Sequence, residues 1–153
     1  MTAQRYLALD VGTKRIGVAV SDLLGVAAHG VETYARTGDD EKDAEHFVQL
    51  AERYRPVTIV VGMPRNMDGS YGAQAEYTRA FAEVLRQKFD GEIEFYDERL
   101  TTAAATKVLL DADLSRKKRK KVVDKLAAVL ILESYMTYRA NRAARELREH
   151  GPE

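Results

Sequence analysis

The sequence predicts an α/β protein built on a mixed five-stranded sheet, with the first three strands antiparallel and helices covering both faces. Two observations carry this. Short apolar runs separated by tight turns crowd the first part of the chain, as in consecutive antiparallel strands. Amphipathic segments at helical spacing then alternate with further short apolar runs, as in strands joined by covering helices.

In chain order, Tyr6 to Leu9 is the first apolar run. Gly12 and the polar Thr13-Lys14-Arg15 break it, and Ile16 to Val20 resumes it, so two strands lie side by side across a tight connection. A third strand precedes Asp39-Asp40, which start a helix with Ala44, Phe47, Val48, Ala51 and Tyr54 at i, i+3, i+4, i+7 spacing and Pro56 just past its end. Val57 to Val61 reads as a strand buried on both faces, broken by Gly62-Met63-Pro64. After the polar loop Arg65 to Gly72 comes a helix with Tyr77, Phe81, Val84 and Leu85 on one side. Ile93 and Phe95 alternate with Glu94, Tyr96 and Glu98, so the last strand is expected to end on Glu98. The Ala-rich stretch from Thr101 to Leu110 reads as helical, and Ser115 caps a long final helix whose seam is Val123, Leu126, Ala127, Leu130 and Ser134.

At 153 residues the chain fits one domain, expected over residues 1–148 with a short polar tail at 149–153. There is no cysteine, which excludes disulfides and thiolate metal sites. His29, His46 and His150 are scattered without i, i+4 pairing and read as ordinary loop or surface residues. No basic segment followed by an apolar one opens the chain, and the longest apolar run, Leu126 to Leu132, is too short to span a bilayer. A soluble cytoplasmic protein with no membrane partner is expected. Formal net charge is zero, but its distribution is uneven. Acidic residues crowd Asp39 to Glu45, whereas Arg116 to Lys121 is an unbroken cationic run that includes Lys117, Lys118, Lys120 and Lys121. Like charges so close repel unless a polyanion lies nearby, so phosphate contact is expected there. Arg139, Arg142, Arg145 and Arg148, interleaved with Glu146 and Glu149, read instead as a solvated helix face.

Chemistry concentrates at three carboxylates. Asp10 ends the first strand at a Gly-Thr turn, Glu98 ends the last strand, and Asp124 lies beside the apolar seam of the final helix, where Ala127 and Ala128 would leave space for an ion. Strand alternation puts Asp10 on the face of Tyr6 and Ala8, at the sheet end where ligands of open α/β sheets bind. The bland reading of Asp10 is an Asx-type bond to the turn, and that of Asp124 an ion pair with Lys120, Lys121 or Lys125. The functional reading is a joint one. Carboxylates without His or Cys suit hard divalent ions such as Mg²⁺ or Mn²⁺, and two ions about 3.5–4 Å apart stabilise the attacking and leaving oxygens of an in-line phosphoryl displacement. Asp97 alternates to the opposite face and is the second choice beside Glu98.

Leu9 to Asp22, Val61 to Ser70, Asp97 to Thr102 and Lys120 to Ala128 together resemble, in order, the four motifs of the YqgF family within the ribonuclease H-like superfamily. That family comprises proteins described as Holliday junction resolvases or pre-16S rRNA nucleases. The resemblance runs end to end; Met63, where the family commonly has Leu, conserves volume. It implies a ribonuclease H-like fold, Asp10, Glu98 and Asp124 as the metal-binding catalytic set, and Lys14, Arg15, Arg65, Asn66 and Arg99 near the substrate backbone. The implied activity is a metal-dependent endonuclease, with water as nucleophile, acting on structured RNA in maturing the 5′ end of pre-16S rRNA. The pre-ribosomal particle is the implied further partner. A resolvase of branched DNA, working as a two-fold homodimer, stays open beside it. So does a non-catalytic ribosome assembly or transcription factor, against which the three intact carboxylates count. Asp10-Val11-Gly12-Thr13 also resembles the phosphate loop of actin-like and sugar kinases, but those need two such domains around one nucleotide.

Overall fold

The computed structural model describes residues 4–55, 57–66, 68–101 and 116–149, and the side chains of the last segment from residue 124 onward. Three strands, β1 (Arg5–Val11), β2 (Arg15–Ser21) and β3 (Ala28–Ala35), precede the helix α1 (Asp40–Glu52). Then come β4 (Val57–Met63), helix α2 (Ala73–Lys88), β5 (Ile93–Asp97), a 3₁₀ turn (Glu98–Leu100) and the long helix α3 (Arg116–Glu149). The sheet order is β3-β2-β1-β4-β5. β1, β2 and β3 pair antiparallel, whereas β4 runs parallel to both β1 and β5. The expected mixed five-stranded α/β sheet is therefore the observed one.

Alternation along each strand separates two cores. Leu7, Leu9 and Val11 of β1, Ile16, Val18 and Val20 of β2, and Ile59 and Val61 of β4 pack with Phe47 of α1 and with Phe81 and Leu85 of α2. On the opposite face Ala8, Ala19 and Val60 meet Ala127, Ala128, Ile131 and Leu132 of α3, with Tyr96 and Tyr135 completing the cluster. The acidic start of α1 follows from its cap, where the Asp39 carboxylate accepts from the Glu41 and Lys42 amides at 3.0 and 3.4 Å.

Several local expectations shift. β4 continues through Gly62 and Met63 instead of ending at Val61, because both residues pair with β5. β5 stops at Asp97, and Glu98 opens the 3₁₀ turn. Tyr96 is the buried residue of β5 and Phe95 is exposed, the reverse of the expected alternation, since Tyr96 is the side that faces α3. The seam of α3 is rotated by about one residue, with Ala127, Ala128, Ile131, Leu132 and Tyr135 buried and Leu126, Leu130 and Ser134 only partly so. Tyr77 lies exposed and contributes its hydroxyl elsewhere. The expected helix over Thr101–Leu110 and the Ser115 cap fall, from residue 102 onward, outside the described residues. No helix among the described residues is long and apolar enough to cross a membrane.

Candidate active site

Small residues bring α3 down onto the sheet where β1 ends. Gly17 is the β2 partner of Asp10, and a Cβ there would lie 1.9 Å from the Asp124 carbonyl oxygen. At Gly30 it would meet the Lys125 side chain at 2.7 Å, and at Gly62 the Ile131 Cδ1 at 2.7 Å. At Gly17 the neighbour is helix backbone, and approach that close is open only to a residue without a Cβ, whereas at Gly30 and Gly62 the neighbours are side-chain atoms. Asp124 is thereby seated beside the strand pair that carries Asp10.

The far end of the site is tied down by α3 as well. The Tyr96 hydroxyl shares a hydrogen bond with Ser134 Oγ at 2.8 Å, and Ser134 Oγ lies 3.2 Å from the Leu100 carbonyl that it bonds. The 3₁₀ turn beginning at Glu98 closes with the Thr101 hydroxyl and amide donating to the Glu98 carbonyl at 2.8 and 3.1 Å. Strand end, turn and helix thus form one framework around Glu98.

Asp10, Glu98 and Asp124 line a single cleft of about 670 Å³ at the carboxyl ends of β1 and β4. Lys14, Arg15, Arg65 and Arg99 line it too, so four of the expected backbone-contacting residues share it with the three carboxylates. Asn66 does not: its side-chain amide donates to Ser70 Oγ at 3.0 Å within the 65–70 loop. Lys117, Lys118, Lys120 and Lys121 fall in the first turns of α3, where the side chains lie outside the described ones.

Asp10 is buried, with 6% of its surface exposed. Asp124 accepts a hydrogen bond from Arg15 Nε at 2.8 Å on Oδ2, both side chains being partly buried. An ion pair does engage Asp124, from Arg15 across the cleft, while the Lys120 and Lys121 side chains weighed for it lie outside the described ones. Among the described residues no three acidic or histidine side chains are drawn together at metal-binding spacing. The donor set nonetheless fits a hard divalent ion, being carboxylate oxygen throughout, and a guanidinium already fills the cationic role at Asp124.

Asp97 has a role that spacing did not reveal. Its carboxylate takes Arg99 through Nε and Nη2, at 3.1 and 2.8 Å on Oδ2, and Arg65 Nη1 at 3.5 Å. Hydrogen bonds from Arg99 hold the Asp97 carboxyl below the usual carboxylate range, against the opposing pull of burial. Arg65 also donates to the Gly69 carbonyl and lies over the Tyr71 ring at 4.5 Å. Asp97 therefore organises the two cleft arginines. Gln74, likewise cleft-lining, was not singled out from sequence. Gln74 is recognisable only once α2 is docked, because its amide reaches back 63 residues to the Val11 carbonyl at 3.0 Å.

A family model described as "RuvX: Holliday junction resolvase" matches residues 4–138. A protein of Halalkalibacterium halodurans named "Putative pre-16S rRNA nuclease" is 53% identical over 133 residues, covering 86% of this chain and 95% of that one. A relative of the same name from Heliobacterium modesticaldum is 52% identical over 142 residues, covering 93% and 95%. Among solved structures, Thermus thermophilus RuvC in complex with a Holliday junction substrate superposes with a TM-score of 0.55 at 13% identity, over 88% of this chain and 96% of that one. That likeness carries the fold, and RuvC is of the ribonuclease H-like kind expected above.

Proposed function

This chain belongs to the RuvX family and is a nuclease, and from that premise we propose a metal-dependent endonuclease that hydrolyses phosphodiester bonds of structured RNA, with the 5′ end of pre-16S rRNA as its task. The observation that carries the reading is the composition of one cleft: three carboxylates from three separate elements facing four basic side chains. Asp10, Glu98 and Asp124 would hold Mg²⁺ or Mn²⁺, two ions in the full site, supplying Lewis acidity at the attacking and leaving oxygens. Lys14, Arg65 and Arg99 bind the phosphate backbone, which positions the strand without reading its bases. Asp97 keeps Arg65 and Arg99 aimed, so a phosphate meets cations already in place. Arg15 pairs with Asp124 until the site fills and is then available to a phosphate oxygen. Water serves as nucleophile, and no side chain of the cleft needs to form a covalent intermediate.

The relatives' name favours precursor rRNA, while the family description favours four-way DNA junctions, a substrate that a two-fold pair of sites would suit. The test is a panel of labelled substrates: precursor rRNA 5′ ends, RNA and DNA single strands, and four-way junctions, each incubated with Mg²⁺ or Mn²⁺. Cleavage of the precursor end by the wild type, reduced to background in Asp10→Asn, is the expected result. Cleavage of junctions alone would transfer the assignment to the resolvase reading. Binding without cleavage of any substrate would remove the catalytic one.

A further inference from the structure

The turn that follows Asp10 is fastened from outside by an arrangement that centres on Arg36. Four consecutive carbonyls, that of Val11 at the end of β1 and those of Gly12, Thr13 and Lys14 in the connection to β2, accept hydrogen bonds from elsewhere in the fold. Val11 receives Gln74 Nε2 at 3.0 Å, Gly12 receives Arg36 Nη1 at 2.9 Å, Thr13 receives the Tyr77 hydroxyl at 3.3 Å, and Lys14 receives the Arg36 amide at 2.9 Å. Peptide planarity turns the N–H groups of Thr13 and Lys14 away from the Arg36 and Tyr77 donors. With its carbonyls engaged the turn cannot reorient, and Thr13 and Lys14 stay at the cleft wall.

Arg36 is itself held with unusual care for a residue beyond a strand end. Only 4% of its side chain is exposed. Nη2 donates to Asp40 at 2.7 Å, and Nε lies 3.6 Å from Asp43, whose side chain is fully buried. Asp43 is fixed in turn by the Tyr34 hydroxyl at 2.9 Å and by the Thr37 hydroxyl and amide at 2.8 and 3.1 Å. The guanidinium lies over the rings of Tyr77 and Phe81 at 4.8 and 4.9 Å. A buried ion pair of this kind is a poor source of stability and a good source of fixed geometry.

We propose that Arg36 is a positioning residue for substrate binding: anchored by Asp40 and buried Asp43, it locks the Gly12–Lys14 turn so that Thr13 and Lys14 are presented to a substrate phosphate. It is placed to act on the turn alone, through the Gly12 and Lys14 carbonyls, and not on the reacting atoms. The inference rests on the nuclease reading for its substrate and on the hydrogen-bond network alone for its geometry.

The test compares wild type, Arg36→Ala, Arg36→Lys and the double variant Gln74→Leu/Tyr77→Phe. The double variant removes two outside donors from the same turn without opening the core, and it decides the matter if Arg36→Ala leaves Asp43 unpaired and fails to fold. Three readouts are taken: anisotropy of a fluorescein-labelled four-way junction and a labelled precursor rRNA end in EDTA, hydrogen exchange of amides 11–15, and KM and kcat on whichever substrate is cleaved with Mn²⁺. Arg36→Ala is expected to raise Kd and KM about tenfold or more, with kcat at saturation within about threefold. Exchange in the turn accelerates in step, and Arg36→Lys, which keeps a donor near Gly12, recovers most of the loss. The double variant shows the same pattern, smaller. A folded Arg36→Ala or double variant with unchanged exchange and unchanged Kd overturns the proposal, as does a loss confined to kcat, which reports unfolded protein. If the wild type cleaves nothing, the nuclease reading fails by itself, while exchange and anisotropy still decide the role of Arg36.

Discussion

The two faces of the sheet are made of different sizes of residue, and the difference divides stability from chemistry. Toward α1 and α2, β1, β2 and β4 present Leu7, Leu9, Ile16, Val18, Ile59 and Val61, all fully buried and packed around Phe47 and Phe81. Toward α3 the same strands present Ala8, Asp10, Gly17, Ala19, Val60 and Gly62. Large side chains hold two helices at the distance of a filled core; small ones let one helix backbone come down against the strands. The cleft opens on the second face because close approach, and not bulk, sets the position of Asp124. A site carboxylate placed on the first face would have to displace core volume.

The sharpest way to break this contrast is a matched pair of substitutions. Gly17→Ala puts a methyl group 1.9 Å from the Asp124 carbonyl, so α3 must move; stability should fall by about 1–3 kcal/mol and cleavage by the folded protein by about 100-fold. Leu7→Ala on the other face should cost more stability, about 2–5 kcal/mol, yet leave kcat of the folded fraction unchanged. Denaturant melts and kinetics well below each midpoint separate the two. Equal activity losses at equal stability would erase the division of labour.

That division was largely legible in the sequence, because strand alternation is strict in Leu7-Ala8-Leu9-Asp10 and Ile16-Gly17-Val18-Ala19. The convergence of Asp10, Glu98 and Asp124 on one cleft was also accessible, since each stands where an element ends or beside an apolar seam. The rotation of α3 was not. Its sheet-facing side begins with the small Ala127 and Ala128, so Leu126 and Leu130, only partly buried, dominated the apolar pattern while Ala128 sat at the contact. Asp97 was read by alternation alone, and alternation says nothing of two arginines arriving from a loop and a 3₁₀ turn. Arg36 has nearby acidic partners in Asp40 and Asp43, but its reach to the turn does not show in the sequence, because Gly12 and Phe81 lie 24 residues before it and 45 after it.

A smaller effect is expected from the cationic start of α3. Replacing Lys117, Lys118, Lys120 and Lys121 by Ala should weaken binding to every nucleic acid alike, and log K against log salt should flatten by roughly 0.7–0.9 for each phosphate contact removed. Unchanged slopes in a titration from low to moderate salt would return the run to a solvated helix face.

The smallest effect concerns acid stability and belongs to the core-packed side. Burial pushes the Asp43 carboxyl up, but hydrogen bonds from Thr37 and Tyr34 and the Arg36 charge outweigh it and leave it below its ordinary value. A carboxyl depressed in the folded state contributes stability that is present above its unfolded pKa of about 3.9 and is lost as pH falls through the folded value. Melting temperature should therefore drop below about pH 4 in the wild type, and less steeply in Asp43→Asn, which starts lower at neutral pH. Parallel acid limbs would assign the loss to other carboxylates.

The central claim is that Asp10 and its two companions form a divalent-ion site, and metal-dependent stability tests it without reference to any substrate. A divalent ion that binds only the folded state, at a hundredfold excess over Kd, should add about 2.7 kcal/mol. For a chain of this size that is a rise of roughly 5–10 °C in Tm. The decisive measurement is a thermal scan of wild type and Asp10→Asn, with and without millimolar Mn²⁺. The account predicts a clear rise in the wild type that is largely absent in Asp10→Asn; equal shifts in the two proteins, or none in the wild type, would contradict it.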